Sequence, residues 1–461
     1  VTPPGSKSPS LATEVRRLAL PAIAQSLLQT LVFVVDRAML GRHGEASLAA
    51  MQIAGPLEWS LWSVFSAFTV GTIARVGLHV GAGERGLARR ATWASFAYAV
   101  AAGLLVTLAA PFIVGFVGVA VPKASPATVD AARAYLAWTL AGSPLEFLGA
   151  AAVAALQASG DTRTPLGIGV AGNVIHVGTN RVLILGTPWT PAFGAAGAGF
   201  STVLTFTLEA ALAIAALSRR SGAVSLRRGG APTPGHWRDE AREVRRVSLP
   251  SLAERVLYHL GFLGFVLIIA RLGDDVMAAN QALISVESIC FLSADGFGIA
   301  AAALVAQKLG ARRPDEARRC AVIAARYSVV SLTALGLVFL ATRGVVLRVF
   351  SSDPRIVDLG ASAVWVLALA QPFMAAAIVL GQALRGGGFT RAVLGVSAAG
   401  ALVVRLSCTY GLALSLGLGL RGVWLGSTCD WAVRSVLLVV VGAAIARRAV
   451  GATRRASPAP S

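Results

Sequence analysis

What this chain has little of narrows it first. Only 14% of its 461 residues are charged, against 56% that are hydrophobic, which is too apolar for an ordinary soluble protein of this length. Acids are scarcer than bases: 22 Asp and Glu stand against 41 Lys and Arg, a formal net charge of +19. The bases do not build a soluble basic domain. They gather in short connections between apolar runs, which argues against a nucleic-acid partner and fits the distribution of charge in a membrane protein. Five His and four Cys are too few and too scattered for a metal centre, or for the clustered ligands and nucleophile–base pairs of a membrane-embedded enzyme. Cys290, Cys320, Cys408 and Cys429 lie in or at the ends of apolar runs and read as small packing residues. The alternating ten-residue strands of an outer-membrane barrel are missing. The start, VTPPGSKSPS, has no basic-then-apolar signal pattern, and both ends read as disordered tails.

What is present is a text written twice. EVRRLALP (14–21) returns as EVRRVSLP (243–250), a shift of 229 residues. The same shift carries GEASLAAMQ (44–52) onto GDDVMAANQ (273–281), Gly81 onto Gly310, and Ala88, Arg89 and Arg90 onto Ala317, Arg318 and Arg319. Several blocks at one offset imply a duplication. Apolar stretches of about 20 residues, the length that crosses a bilayer as a helix, recur along both copies. Twelve spans are expected, beginning near Leu18, Trp59, Ala91, Ala131, Pro165 and Phe193, then near Val247, Ala278, Cys320, Val357, Thr390 and Gly422. The fold class is therefore an all-α polytopic membrane protein, with twelve transmembrane helices in two pseudo-twofold-related six-helix bundles.

The expected organisation is a disordered N-terminus (1–13), an N-lobe (14–217), an inter-lobe loop (218–242), a C-lobe (243–446) and a tail (447–461), with a short amphipathic helix before the second lobe. Placing both termini in the cytoplasm puts about threefold more Lys and Arg on that side than on the other. A multi-pass protein of the inner (plasma) membrane, acting as a monomer in the lipid bilayer, is the expected setting.

Several blocks carry a family resemblance. They are VVDRAMLGRHG (34–44) followed by SLAAMQIA, ASGDTRTPLGIGVAGNVI (158–175), SLPSLAERV (248–256), ARLGDDVMAANQ, VESICFLSADGFGIAAAALVAQKLGARRPDEA (286–317), QALRGGGFTRA and GLGLRGVWLGSTCD (417–430). In order and spacing the whole chain resembles the multidrug and toxic compound extrusion (MATE) transporters, with the DinF-like branch as the expected subdivision. The resemblance implies alternating access and antiport: export of amphipathic, often cationic small molecules in exchange for protons or sodium. No GxxxxGK[ST] loop is present, and GDTRTP (160–165) and RGGGFTR (385–391) read as turns. Hence no cofactor is expected, and a transmembrane proton or sodium gradient is the energy source.

An ionised side chain inside a membrane span costs several kcal/mol unless paired or hydrated. Asp36, in LVFVVDRAML, is therefore the leading ion-coupling candidate, and the resemblance makes it the essential carboxylate of the first lobe. Its repeat mate is Phe265, so packing symmetry does not demand it. Asn173, His176 and Asn180 share one face of the fifth span, at positions where many relatives carry Asn, Asn and Asp. At 1.5 Å per residue Asp36 lies ~27 Å above the cytoplasmic start of its span and Asn180 ~22 Å, with Ser201 and Thr202 at a similar level. Sodium would want more than one carboxylate here, and an imidazole titrates near neutrality, so protons are preferred and sodium at Asp36 is the second choice.

Secondary candidates are Glu254, Asp295 and Arg405. An internal ion pair of Glu254 with Arg255 or Arg405 is as good a reading as transport. Asp430 and Arg434 are expected to satisfy each other, and Glu58 and Glu287, repeat equivalents, read as helix-end residues. Phe33, Trp62, Phe65 and Phe68 are candidates for an adaptable substrate pocket, with core packing the equal alternative. Two other functions stay open: a flippase for a lipid-linked saccharide, favoured by a cavity ringed by Arg75, Arg255 and Arg405, and, remotely, a membrane-embedded enzyme.

Overall fold

The computed structural model describes residues 10–219, 222–227, 234–351 and 353–456, except for the side chains at 29–33, 234–236 and 448–456. The expected terminal segments and inter-lobe loop fall partly outside these residues, as does the Phe33 side chain. The first copy folds into α1 (Leu11–His43), α2 (Glu45–Phe65), α3 (Phe68–Gly81), α4 (Arg85–Ala120), α5 (Pro126–Ala158), α6 (Arg163–Leu185) and α7 (Gly194–Leu217). The second gives α8 (Pro234–Ala270), α9 (Asp274–Gly310), α10 (Pro314–Ala341), α11 (Arg343–Arg348), α12 (Pro354–Ala361), α13 (Val364–Gly386), α14 (Thr390–Ala398), α15 (Arg405–Thr409) and α16 (Gly419–Ala456). Among the described residues, eleven helical stretches are long and apolar enough to cross a membrane. The 33-residue α1 completes a set of twelve.

Three spans are less regular than their hydropathy suggests. The second breaks between α2 and α3, where Ser66 and Ala67 form a turn. The tenth starts as α12, capped by Asp353, whose carboxylate accepts the Arg355 backbone N–H at 2.9 Å; that bond and the adjacent guanidinium hold the Asp353 carboxyl below its ordinary range. In the eleventh, π-helical stretches at Ala399–Val404 and Tyr410–Ser415 flank α15.

The helices gather into two compact units, Ala24–Leu252 (the N-unit) and Val1–Ile23 with Ala253–Ser461 (the C-unit). The division thus falls inside two helices, in place of the inter-lobe connection that the repeat suggested. It comes after Ile23 in α1 and after Leu252 in α8, positions that are themselves 229 apart. Each point lies just past a proline inside its helix, Pro21 and Pro250. Proline removes one intrahelical N–H donor and crowds the carbonyl a turn earlier, so these are the places where a long helix most easily changes direction. No separate amphipathic helix precedes the second copy; α8 runs continuously from Pro234.

Each helix start is fastened where it lies. In the C-unit, Val15, Leu18 and Ala19 are buried with Phe297, Ala301 and Leu304 of α9. Lys308 there bridges Glu14 and Glu316, both at 3.0 Å. In the N-unit, Ala241 and Val244 of α8 pack on Ala94 of α4, and Val247 on Val70 and Ala74 of α3. The Tyr98 hydroxyl donates to the Ala241 carbonyl at 3.0 Å.

Within lipid, helices associate through close van der Waals contact, which small residues allow. Gly103 of α4 illustrates this: a Cβ there would stand 2.6 Å from the Pro144 nitrogen of α5 and 2.9 Å from the Ser143 carbonyl carbon. Gly115 on the same helix has open space at that point. Gly103→Val is therefore expected to destabilise the N-unit by about 1–3 kcal/mol through overpacking, seen as a lower midpoint of thermal unfolding in detergent. Gly115→Val should not lower it; an equal drop in both variants would refute the packing argument.

Candidate functional site

Asp36 lies on α1, in the part belonging to the N-unit, and is 5% exposed. Two residues of α6 meet its carboxylate. His176 Nε2 stands 2.8 Å from Asp36 Oδ1, and the Asn180 amide donates to the same oxygen at 2.5 Å. His176 is 2% exposed and Asn180 fully buried. The i, i+4 spacing on α6 stacks these two side chains on one face, and their own contact is 3.0 Å. From α7, Thr205 Oγ1 reaches His176 Nδ1 at 3.0 Å and Ser201 Oγ lies 3.4 Å from it. Ser201 is held in turn by Thr179 Oγ1 at 2.5 Å.

The Thr205 hydroxyl has an acceptor in the Ser201 carbonyl, at 2.9 Å, and when it donates there its oxygen can accept from His176 Nδ1–H. With Nδ1 protonated, a neutral imidazole would turn the bare Nε2 lone pair toward Asp36. A 2.8 Å contact between two acceptors is repulsive, so that contact holds a proton. With Ser201 donating to Nδ1 a neutral Nε2–H imidazole meets a carboxylate; with Thr205 accepting from Nδ1–H the pair is either an imidazolium with a carboxylate or an imidazole with a carboxylic acid. Moving between these two forms shifts one proton along a single hydrogen bond.

Of the residues expected at this site, Asp36, His176, Asn180 and Ser201 come together. Asn173 does not join them: its amide donates to the Gly169 carbonyl of its own helix at 2.6 Å. Thr202 donates to the Ala198 carbonyl at 3.0 Å and reaches Tyr135 rather than Asp36. Three participants went unread in the sequence. Thr205 is one, with its apolar neighbours hiding it. Glu209 is another, one helical turn further along α7; a Cβ on Gly172 would stand 2.9 Å from its Cδ, so the missing side chain of Gly172 makes room for the Glu209 carboxyl one turn below His176. Glu58 is the third. It lies within α2, not at a helix end, and its carboxylate accepts the Tyr135 hydroxyl at 2.8 Å. Asp36 acts electrostatically on both Glu58 and Tyr135.

The described aromatic candidates pack against the N-unit core. Phe68 is buried, its ring 6.1 Å from that of Phe147. Trp62 and Phe65 are half-buried against the same core, and Trp62 stacks on Trp59 at 5.2 Å.

The C-unit neutralises its charges internally. Glu254 pairs with Arg385: Arg385 Nε donates to it at 3.0 Å and Ser397 Oγ at 2.6 Å. Asp295 accepts the Gln382 amide at 3.0 Å. Arg405 stands 2.8 Å from Asp430, which also binds Arg434 as expected. The Arg405 guanidinium lies 5.6 Å from the Phe265 ring centroid and 5.4 Å from that of Trp431. Phe265, the repeat mate of Asp36, thus faces a permanent cation.

Known proteins agree with this architecture. The MatE family profile matches residues 21–182 and 250–410. A probable multidrug resistance protein NorM of Thermotoga maritima is 26% identical over 434 residues, covering 94% of this chain and 92% of its own. One from Bradyrhizobium diazoefficiens is 29% identical over 454 residues, covering 95% and 94%. Among solved structures, the outward-facing conformation of a multidrug resistance MATE family transporter of the MOP superfamily superposes with a TM-score of 0.87. It is 19% identical and covers 96% of this chain and 97% of its own, a likeness of fold. With the family profile matching in both copies of the repeat, this chain belongs to the MatE family of membrane transporters, and it is not an enzyme.

Proposed function

We propose that this protein is a proton-coupled efflux antiporter for amphipathic organic cations, working by alternating access, with Asp36, His176 and Asn180 as the coupling site. The observation that carries the reading is the 2.8 Å contact between Asp36 Oδ1 and His176 Nε2, a buried carboxylate against a buried imidazole. One carboxylate and one imidazole, both buried, suit proton exchange; a sodium ion would find a single carboxylate and a ring nitrogen. Facing the cytoplasm, an ionised Asp36 favours entry of a cationic amphiphile. Proton uptake from the outer side then cancels that attraction and releases the substrate. The names of the curated relatives, multidrug resistance proteins, support a broad substrate range. Arg75 and Arg405 are each engaged by a carboxylate of their own unit, which favours cation efflux over the flippase reading. The expected setting is the inner membrane with both termini cytoplasmic.

Proteoliposomes loaded with a fluorescent organic cation and given separate proton and sodium gradients test this. Asp36→Asn should reduce transport to background, and His176→Gln should lower it about tenfold, the cost of one charge-assisted hydrogen bond. Full activity in Asp36→Asn, or strict sodium dependence of the unmodified protein, would refute the assignment. Asn180→Asp adds a second carboxylate beside Asp36 and is expected to confer sodium stimulation that the parent lacks. Sodium-insensitive transport in that variant would contradict the argument from ligand chemistry.

A further inference from the structure

At its cytoplasmic end α3 carries a second buried imidazole, His79, 4% exposed. It lies between two carboxylates. Nδ1 is 2.8 Å from Glu84 Oε2, in the turn into α4, and Nε2 is 3.1 Å from Glu240 Oε1, on α8. Arg75, one turn back on α3, places NH2 3.1 Å from the same Nε2 and 2.9 Å from Glu240 Oε1. Its Nε adds a bond to Glu240 Oε2 at 3.3 Å. These four side chains fasten the start of α8 to the rest of the N-unit. The other element packed there, α4, meets α8 through Ala94 and Tyr98 and carries Arg85, Arg89 and Arg90 in its first turns.

The geometry fits two protonation states. An imidazolium donates to Glu84 and Glu240 at once, and with Arg75 the cluster holds two cations and two anions. A neutral ring keeps Nδ1–H on Glu84, while Nε2 becomes an acceptor and takes a bond from Arg75. The direct bond from His79 to α8 is then lost, Arg75 is shared between two acceptors, and the cluster carries a net negative charge. Imidazole is the side chain that most readily exchanges a proton near neutrality, and both of its forms find partners in this cluster.

The repeat supplies the comparison. The 229-residue shift places His79 on Lys308, the residue that ties the start of α1 into the C-unit through Glu14 and Glu316. The two copies therefore use the same position to hold the start of a proline-containing helix, one with a permanent charge and one with a titratable charge.

We propose that His79 is a positioning residue of the transport cycle, a proton-sensitive clasp that holds the start of α8 to α3 more firmly when the cytoplasmic side is acidic. The clasp itself is independent of Asp36; its effect on transport rests on the alternating-access reading above.

Spin labels at Gly86→Cys and Asp239→Cys, both exposed positions, report on the clasp in full-length protein in nanodiscs, with the four native cysteines replaced. The distance distribution is expected to broaden or lengthen from about pH 6 to about pH 8, in the Asp36→Asn background as well. His79→Gln should abolish this response. His79→Lys, which copies Lys308, should keep the narrow distribution at both pH values. In proteoliposomes, acidifying the cytoplasmic face alone should slow transport about threefold more in the parent than in His79→Lys, which keeps only the slowing caused by the smaller proton gradient. A pH-dependent distance that survives in His79→Gln overturns the clasp, as does a distance in the parent that pH leaves unchanged. A clasp that responds in the distance measurement while cytoplasmic acidification slows the parent and His79→Lys equally overturns the positioning role. Loss of transport in Asp36→Asn with the distance response intact leaves the clasp standing apart from the coupling site.

Discussion

The cost of placing a charge inside an apolar helix bundle governs this protein. An unpaired buried ion loses several kcal/mol of solvation, so each buried charge at issue is met by a partner within its own unit. Glu254 is met by Arg385, Asp430 by Arg405 and Arg434, Glu240 by Arg75 and His79, and Asp36 by His176 and Asn180. The partner's chemistry then separates scaffold from function. A guanidinium keeps its proton at every physiological pH, so the Arg–carboxylate pairs are fixed crosslinks. An imidazole exchanges its proton, so a His–carboxylate pair has two states. Of these pairs, the Arg–carboxylate ones at Glu254 and Asp430 lie in the C-unit and both His–carboxylate ones lie in the N-unit.

The duplication explains how such different halves share one architecture. The matched residues are those that set helix starts, turns and close contacts: EVRR and its proline, Gly81 and Gly310, and the Ala-Arg-Arg triplets. They carry the geometry in which α1 and α8 each begin in one compact unit and end in the other. Substitutions at mismatched positions change the chemistry while leaving that geometry in place. Asp36 stands against Phe265 and His79 against Lys308. In both comparisons the first copy has an imidazole–carboxylate cluster where the second has a permanently charged or aromatic residue.

Sequence reasoning went furthest where the helix itself determines the answer. Span number followed from apolar length, as did most starts, while the second span begins at Glu45, well before the expected Trp59. The shared face of His176 and Asn180 followed from their spacing, and the meeting with Asp36 from rise per residue. It failed where the answer depends on how neighbouring helices are rotated and shifted. Asn173 has the right spacing, yet it bonds to its own backbone one turn back. Thr202 and Thr205 sit on the same helix, and only the second points at His176. Arg385 looked like part of a glycine-rich turn, and its long side chain instead neutralises Glu254. The division of α1 and α8 between compact units was equally hidden. It concerns which neighbours a helix packs against, and the prolines marked only where a bend is cheap.

The cluster around Asp36 also contains a reserve of hydrogen-bonding capacity. Asn180 is fully buried, and its Oδ1 has no partner. A buried carbonyl oxygen left unpaired costs about 1–3 kcal/mol. The amide nitrogen meets an ionised Asp36 as a donor. A half-turn of the same amide would present its oxygen to a protonated Asp36, which then donates, so one side chain serves both charge states of the acid. An aspartate at that position would have no N–H to offer the ionised form and would repel it. Within a buried site holding one carboxylate, asparagine favours a cycle in which a proton comes and goes, and a second carboxylate would favour a metal cation. The exchange of Asp for Asn is small in volume and large in consequence because both groups lie where water cannot make up the difference.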